Sequence, residues 1–147
     1  MKILYLEDSG SAMYKVDYLK EIQGHEVWVT NDYRDVMSWL EFEPGEQQFD
    51  AIIFDLVMLD ETLPYEFIDE QYNKSVHKLP SLFFIRYYVL KKFPHIRDKI
   101  ILCSSFFDSL DNYTAEIWDD IGKLKRIDKR AQFLIEKLTS MLKDMEA

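Results

Sequence analysis

The chain has one cysteine, four glycines and four prolines. A lone Cys103 rules out an internal disulfide, so the fold must be held by buried apolar surface. Within Ile100-Ile101-Leu102-Cys103 that cysteine reads as a small core hydrophobe. So few glycines leave no glycine-rich loop of the kind that cradles nucleotide phosphates. No apolar run approaches the roughly 18 residues that suggest a membrane span. The opening, Met1-Lys2-Ile3-Leu4-Tyr5-Leu6-Glu7-Asp8, turns acidic too early for a signal peptide, so a reducing cytoplasm is the expected location. Basic residues are also scarce: 18 Lys and Arg face 27 Asp and Glu, for a net charge of −9. That disfavours nonspecific binding to nucleic acid or to an anionic membrane, both of which need clustered cations.

Apolar and aromatic residues are plentiful, at 48% and 15% of the chain, which argues for a globular fold. A length of 147 residues corresponds to about one domain, long enough to bury a core without staples. There is no internal repeat and no low-complexity segment.

Short apolar runs alternate with helical patterns along the chain, the signature of a parallel sheet covered on both faces. Strands are expected at Lys2 to Leu6, His25 to Val29, Ala51 to Asp55, Lys99 to Ser104 and, more weakly patterned, Leu124 to Ile127. The first helix is expected from Ser11 to Ile22, with Met13, Val16, Leu19 and Ile22 inward, Ser9 or Ser11 as cap and Gly24 as stop. A second runs from Asp32 to Phe42 behind an Asn31 or Asp32 cap, with Val36, Trp39 and Leu40 inward. Further helices are expected at Ser81 to Phe93, Asp108 to Asp120 and Ala131 to Lys143. Ahead of the first of these, after the third strand, lies an irregular acidic and aromatic stretch, Leu59 to Pro80. In the third helix Phe83, Phe84, Tyr87 and Tyr88 read as core and half-exposed face, and His25, His77 and His95 as scattered surface or loop residues.

Chemistry gathers where apolar runs end in acid. Phe49-Asp50-Ala51-Ile52-Ile53-Phe54 runs into Asp55, and Ile3-Leu4-Tyr5-Leu6 runs into Glu7-Asp8. In open parallel sheets the ligand site lies at the carboxyl ends of the strands, where Glu7, Asp8, Asp55 and Ser104 all fall. Carboxylates brought together there repel unless a cation lies between them, and a hard dication such as Mg²⁺ wants oxygen ligands.

These residues carry a resemblance. With Leu6-Glu7-Asp8 after the first strand, Asp55-Leu56-Val57-Met58 after the third, Ser104-Ser105 after the fourth and Lys129 after the fifth, the chain resembles the receiver domains of two-component response regulators over nearly its whole length. The resemblance implies one α/β domain over residues 1–147, a flavodoxin-like (βα)5 fold with five parallel strands in the order 2-1-3-4-5 and helices on both faces. It implies that Asp55 is the phosphoacceptor, that Asp8 and Asp55 ligate Mg²⁺ directly, that Glu7 acts through water, and that the backbone carbonyl of Val57 completes the protein ligands. Ser104 would hydrogen-bond the phosphoryl group and Lys129 would pair with it, with Lys125 as a fallback. The phosphoryl donor would be a histidine kinase or histidine phosphotransfer protein, and no turnover enzyme is expected.

The chain departs from the family pattern in places. Met58 is followed by Leu59 where the family usually has proline, and the stretch from 59 to 80 is longer than usual, with room for a short helix at Tyr65 to Tyr72. Arg126 stands where many receivers place an aromatic, and Arg130 stands where proline usually follows the lysine. Val57 and Phe106 border the expected water path and are too apolar to orient a water, which predicts slow autodephosphorylation.

Only Asp144 to Ala147 follow the last expected helix, so output by contact with another protein, by pairing of two chains or by phosphoryl passage is expected. Two other readings compete. One is a receiver-like binding module that is not phosphorylated in normal use. The other is a different α/β enzyme, such as a phosphatase with an aspartate nucleophile, which the absence of a second aspartate at Val57 argues against.

Overall fold

The computed structural model describes residues 1–7, 13–42, 49–55, 81, 84–104, 124–128 and 134–146. Five strands form one sheet: β1 (Lys2–Leu6), β2 (Glu26–Thr30), β3 (Ala51–Asp55), β4 (Ile100–Ser104) and β5 (Lys125–Asp128). Every pairing is parallel and the order is β2-β1-β3-β4-β5. The expected sheet and strand order are therefore present. β1 and β3 have the expected bounds, while β2, β4 and β5 begin one residue later than the sequence pattern places them.

Four helical elements are described. α1, residues 13–22, is an α-helical segment Met13–Asp17 continued by a π-helical turn Tyr18–Ile22. α2 spans Tyr33–Phe42. α3, residues 84–92, has a π-helical stretch Ile85–Val89 followed by Leu90–Lys92, and a 3-10 turn, Pro94–Lys99, leads into β4. α4 spans Leu134–Glu146, reaching further than the expected end at Lys143. The expected helix at 108–120 lies outside the described residues, as does the stretch 59–80.

Period-two alternation divides the sheet between two cores. Leu4, Leu6, Ile52, Phe54, Ile100 and Leu102 face α2 and α3, meeting Val36, Phe84, Ile85 and Val89. Ile3, Tyr5, Ala51, Ile53, Ile101, Cys103 and Ile127 face α1 and α4, meeting Val16, Leu19, Leu138 and Leu142. Helices thus cover both faces, and Cys103 is the core hydrophobe its sequence context indicates. Phe84 stacks on Tyr88 with ring centroids 5.2 Å apart and lies 4.6 Å from Tyr33, while Tyr87 is half-buried. The expected core and half-exposed face of α3 is present at these three positions.

Local signals account for the helix ends. Asp32 is the cap of α2: its Oδ1 accepts from the Arg34 N–H at 2.8 Å. Thr30 braces the same junction, its hydroxyl donating to Asp35 Oδ2 at 2.6 Å and accepting from the Asp32 N–H at 3.0 Å. Gly24 ends α1 at φ 71°, in the left-handed region that suits glycine. Ile22 departs from expectation: it is 66% exposed although the spacing places it inward. In the π-helical turn each residue rotates less about the axis than in an α-helix, so the apolar stripe slips out of phase after Leu19.

Two polar and aromatic clusters tie α2 to its neighbours. The Tyr88 hydroxyl donates to Glu41 Oε1 at 2.8 Å, and the Lys92 ammonium pairs with the same carboxylate. Beside the edge strand, Trp28 meets Trp39 and Phe49 edge-to-face at centroid distances of 5.3 and 5.4 Å, and the Lys2 ammonium lies 4.3 Å from the Trp28 ring.

Candidate functional site

β1 and β3 are neighbours, and their register pairs Leu6 with Phe54. Glu7 and Asp55 each follow by one residue, so they occupy the same rung at the carboxyl rim of the sheet, on strands about 4.8 Å apart. Alternation gives both the parity of Tyr5 and Ile53, the face covered by α1 and α4. Both are buried: Glu7 is 6% exposed and Asp55 2%. Two carboxylates withdrawn from water at one rung need positive charge or donors beside them.

Backbone bonds fix where these acids stand. The Glu7 N–H donates to the Thr30 carbonyl at 2.9 Å, extending the β1–β2 ladder past its last paired strand residue. The Asp55 carbonyl accepts from the Ser81 hydroxyl at 3.2 Å. Ser81 is completely buried and its oxygen lies 2.9 Å from the Tyr33 hydroxyl. A serine has one proton to give. With that proton on Asp55, the Tyr33 hydroxyl is the donor to Ser81. The end of β3 is thus tied through Ser81 to the first turn of α2.

Cationic charge comes from α1. Lys15 is 5% exposed and its ammonium lies 3.4 Å from Glu7 Oε2 and 5.9 Å from the Tyr5 ring centroid. Sequence reasoning passed over Lys15, Ser81 and Tyr33. One signal was available for Lys15: it lies four residues before Leu19, on the same helical face.

Of the residues expected at the site, Glu7 and Asp55 are brought together. The backbone of Ser104 ends β4, paired with Asp128 of β5, and Asp55 pairs with Cys103 immediately before it. Asp8, Val57 and Lys129 lie outside the described residues, as do Phe106 and Arg130. Lys125 and Arg126 lie on β5, where Arg126 is exposed. Among the described residues no group of three or more His, Cys, Asp or Glu is placed to hold a metal ion. The two buried carboxylates supply hard oxygen donors of the kind Mg²⁺ takes, so the residues present fit part of such a site.

A groove of about 800 Å³ opens at the opposite, amino-terminal end of the strands, lined by residues including Asp50, Lys99, Lys125 and Met141. It contains neither Glu7 nor Asp55. No helix among the described residues is long and apolar enough to cross a membrane.

No protein-family model matches the chain, and no curated protein sequence does. Solved structures do. The chemotaxis protein CheY4 of Vibrio cholerae is 18% identical with a TM-score of 0.64, over 98% of this chain and 97% of that one. The receiver domain of a signal transduction histidine kinase from Syntrophus aciditrophicus is 20% identical with a TM-score of 0.63, over 98% of this chain and 88% of its own. The receiver domain of a sensor histidine kinase from Pseudomonas aeruginosa, solved with magnesium coordinated in its active-site cleft, is 16% identical with a TM-score of 0.58, over 99% of this chain and 98% of its own. The fold is that of response-regulator receiver domains.

Proposed function

We propose that this chain, which has the fold of the receiver domains of two-component signalling, is a phosphorylatable receiver with Asp55 as its phosphoacceptor. One observation carries the reading: Asp55 and Glu7 are buried on the same rung of adjacent parallel strands, at the carboxyl rim where such sheets bind ligands. In a phosphorelay the Asp55 carboxylate oxygen forms a bond to phosphorus as the donor's P–N bond breaks, leaving an acyl phosphate on the chain. Held by its backbone at the strand end, Asp55 presents that oxygen with little freedom to lose.

Glu7, Asp8, Asp55 and the Val57 carbonyl would hold Mg²⁺. The metal would supply positive charge against the phosphoryl oxygens. Ser104 would hydrogen-bond the transferred group and Lys129 would pair with it. Signalling follows as a population shift among the segments around these residues, read by a protein partner or by pairing of two chains. The donor is a histidine kinase or a histidine phosphotransfer protein, the compartment is the cytoplasm, and no substrate is turned over.

A second reading, a receiver-like binding module without phosphorylation, is favoured by the Lys15–Glu7 ion pair, which places a cation of the chain's own beside the acids. Acetyl phosphate or beryllofluoride with Mg²⁺, read by intact mass and NMR, separates the two. A modification or shift present in the wild type and lost in Asp55→Asn supports the receiver. Mg²⁺ binding without modification favours the binding module.

A further inference from the structure

We infer that Lys15 is a resident counterion that competes with a divalent cation for Glu7 and so sets the metal affinity of the rim. The inference rests on the metal-dependent reading above and deepens it.

Lysine is almost never buried unless it is paired. Lys15 is 5% exposed, and its ammonium lies 3.4 Å from a Glu7 carboxylate that is itself buried. Two features put it there. The α1 face that packs on the sheet carries Val16 and Leu19, and Lys15 stands one residue before the first and four before the second. Its stem is therefore laid against the core, and the ammonium lies near Tyr5, the residue two before Glu7 on the same face of β1. A lysine can bury its alkyl stem in this way while the charged end reaches a partner.

The chemistry of the two cations differs. An ammonium is a donor of three protons carrying one positive charge, and it satisfies a carboxylate oxygen through hydrogen bonding. A dication reaches the same lone pairs through one of its bound waters, which donates to the carboxylate, and it brings twice the charge. The two cations compete for the lone pairs of Glu7, and a fixed positive charge a few ångströms away repels an incoming dication in a buried, poorly screened setting. Glu7 is thereby stabilised without metal, and metal entry must displace or share the lysine. Such a site stays empty until the dication concentration is high, or until the phosphoryl group adds negative charge.

The test is calorimetric titration of the full chain with Mg²⁺ alone, comparing wild type with Lys15→Met and Lys15→Arg. Methionine keeps the stem and removes the charge. The expected result is a Kd tighter by about tenfold or more in Lys15→Met, and near the wild-type value in Lys15→Arg. A thermal melt gives a second readout: in EDTA Lys15→Met melts below wild type because Glu7 has lost its counterion, and Mg²⁺ narrows the gap. Should the methionine variant not fold, the wild type carries the test alone. The carbon resonances of Glu7 Cδ and Lys15 Cε are then expected to move together and saturably with Mg²⁺. Equal Kd values in wild type and Lys15→Met, or a Lys15 resonance indifferent to Mg²⁺ while Asp55 responds, overturn the inference and leave the receiver reading standing. Failure of both proteins to bind Mg²⁺ overturns the two together.

Discussion

The Ser81 hydroxyl donates to the backbone carbonyl of Asp55 across 3.2 Å, from a position with no exposure to solvent. That bond holds the last peptide of β3, and Tyr33 in turn donates to Ser81. Ser81→Ala removes a buried partner from two groups at once. The expected cost is about 1–3 kcal/mol of unfolding free energy, measured by urea denaturation, with Tyr33→Phe costing less because only one bond goes. If the acid's position matters for chemistry, Ser81→Ala also slows labelling of Asp55 by acetyl phosphate under conditions where the variant remains folded. Unchanged stability would show that the bond does not brace the strand end.

Asp55→Asn tests the site itself. Asparagine keeps the shape and loses the nucleophile, so the mass gain of one phosphoryl group expected of the wild type with acetyl phosphate and Mg²⁺ is expected to disappear. Fold is expected to persist, since the substitution removes a buried negative charge from beside Glu7. A variant that still gains the mass would move the phosphoacceptor elsewhere.

Once formed, the acyl phosphate is expected to decay slowly. The receiver resemblance would set Val57 and Phe106, both apolar, at the two positions that border the approach of water. Intact mass followed over time after removal of the donor measures this. A lifetime of seconds would contradict it, and polar residues substituted at either position are expected to shorten the lifetime.

Two titrations should mark the junction of α2 and α3. The Lys92 and Tyr88 hydrogen bonds hold the Glu41 carboxyl below its ordinary value of 4.5. That contribution to stability is complete above pH 4.5 and is lost as pH falls through the folded-state value. Burial, then the bond to Glu41, pushes the Tyr88 phenol above its ordinary value of 10.0. Its contribution is complete below pH 10.0 and is lost as pH rises beyond it. Denaturation midpoints against pH should therefore sag at both ends, with Glu41→Gln flattening the acid limb and Tyr88→Phe the alkaline one. The acid effect is small because Glu41 faces water.

Much of this molecule could be read from the order of its residues. Buried parallel strands announce themselves as unbroken apolar runs, and Ala51-Ile52-Ile53-Phe54-Asp55 was delimited to the residue. The acids at the ends of β1 and β3 were legible for the same reason: a short apolar run that stops at a carboxylate fits a buried strand reaching the rim of its sheet. The cap of α2 was legible as Asn31 or Asp32, and the bond from the Arg34 N–H selects Asp32. What escaped notice were polar residues whose burial is a property of the neighbours. Lys15 in an amphipathic helix looks like a solvated side chain, and only the packing of α1 on β1 reveals that it points at Glu7. Ser81 follows a proline and reads as the start of a helix, while its partners lie 26 and 48 positions away. Ile22 misled because periodicity assumes an unbroken α-helical turn, and the π-helical turn is invisible in composition.

Trp28 and Trp39, 5.3 Å apart with planes at 86°, sit on β2 and α2 respectively. Indole transitions that close are expected to couple as excitons and to give a paired signal of opposite signs in circular dichroism, which loss of either tryptophan would abolish. The molecule thereby carries its own optical gauge of how firmly the second helix is seated on the edge strand.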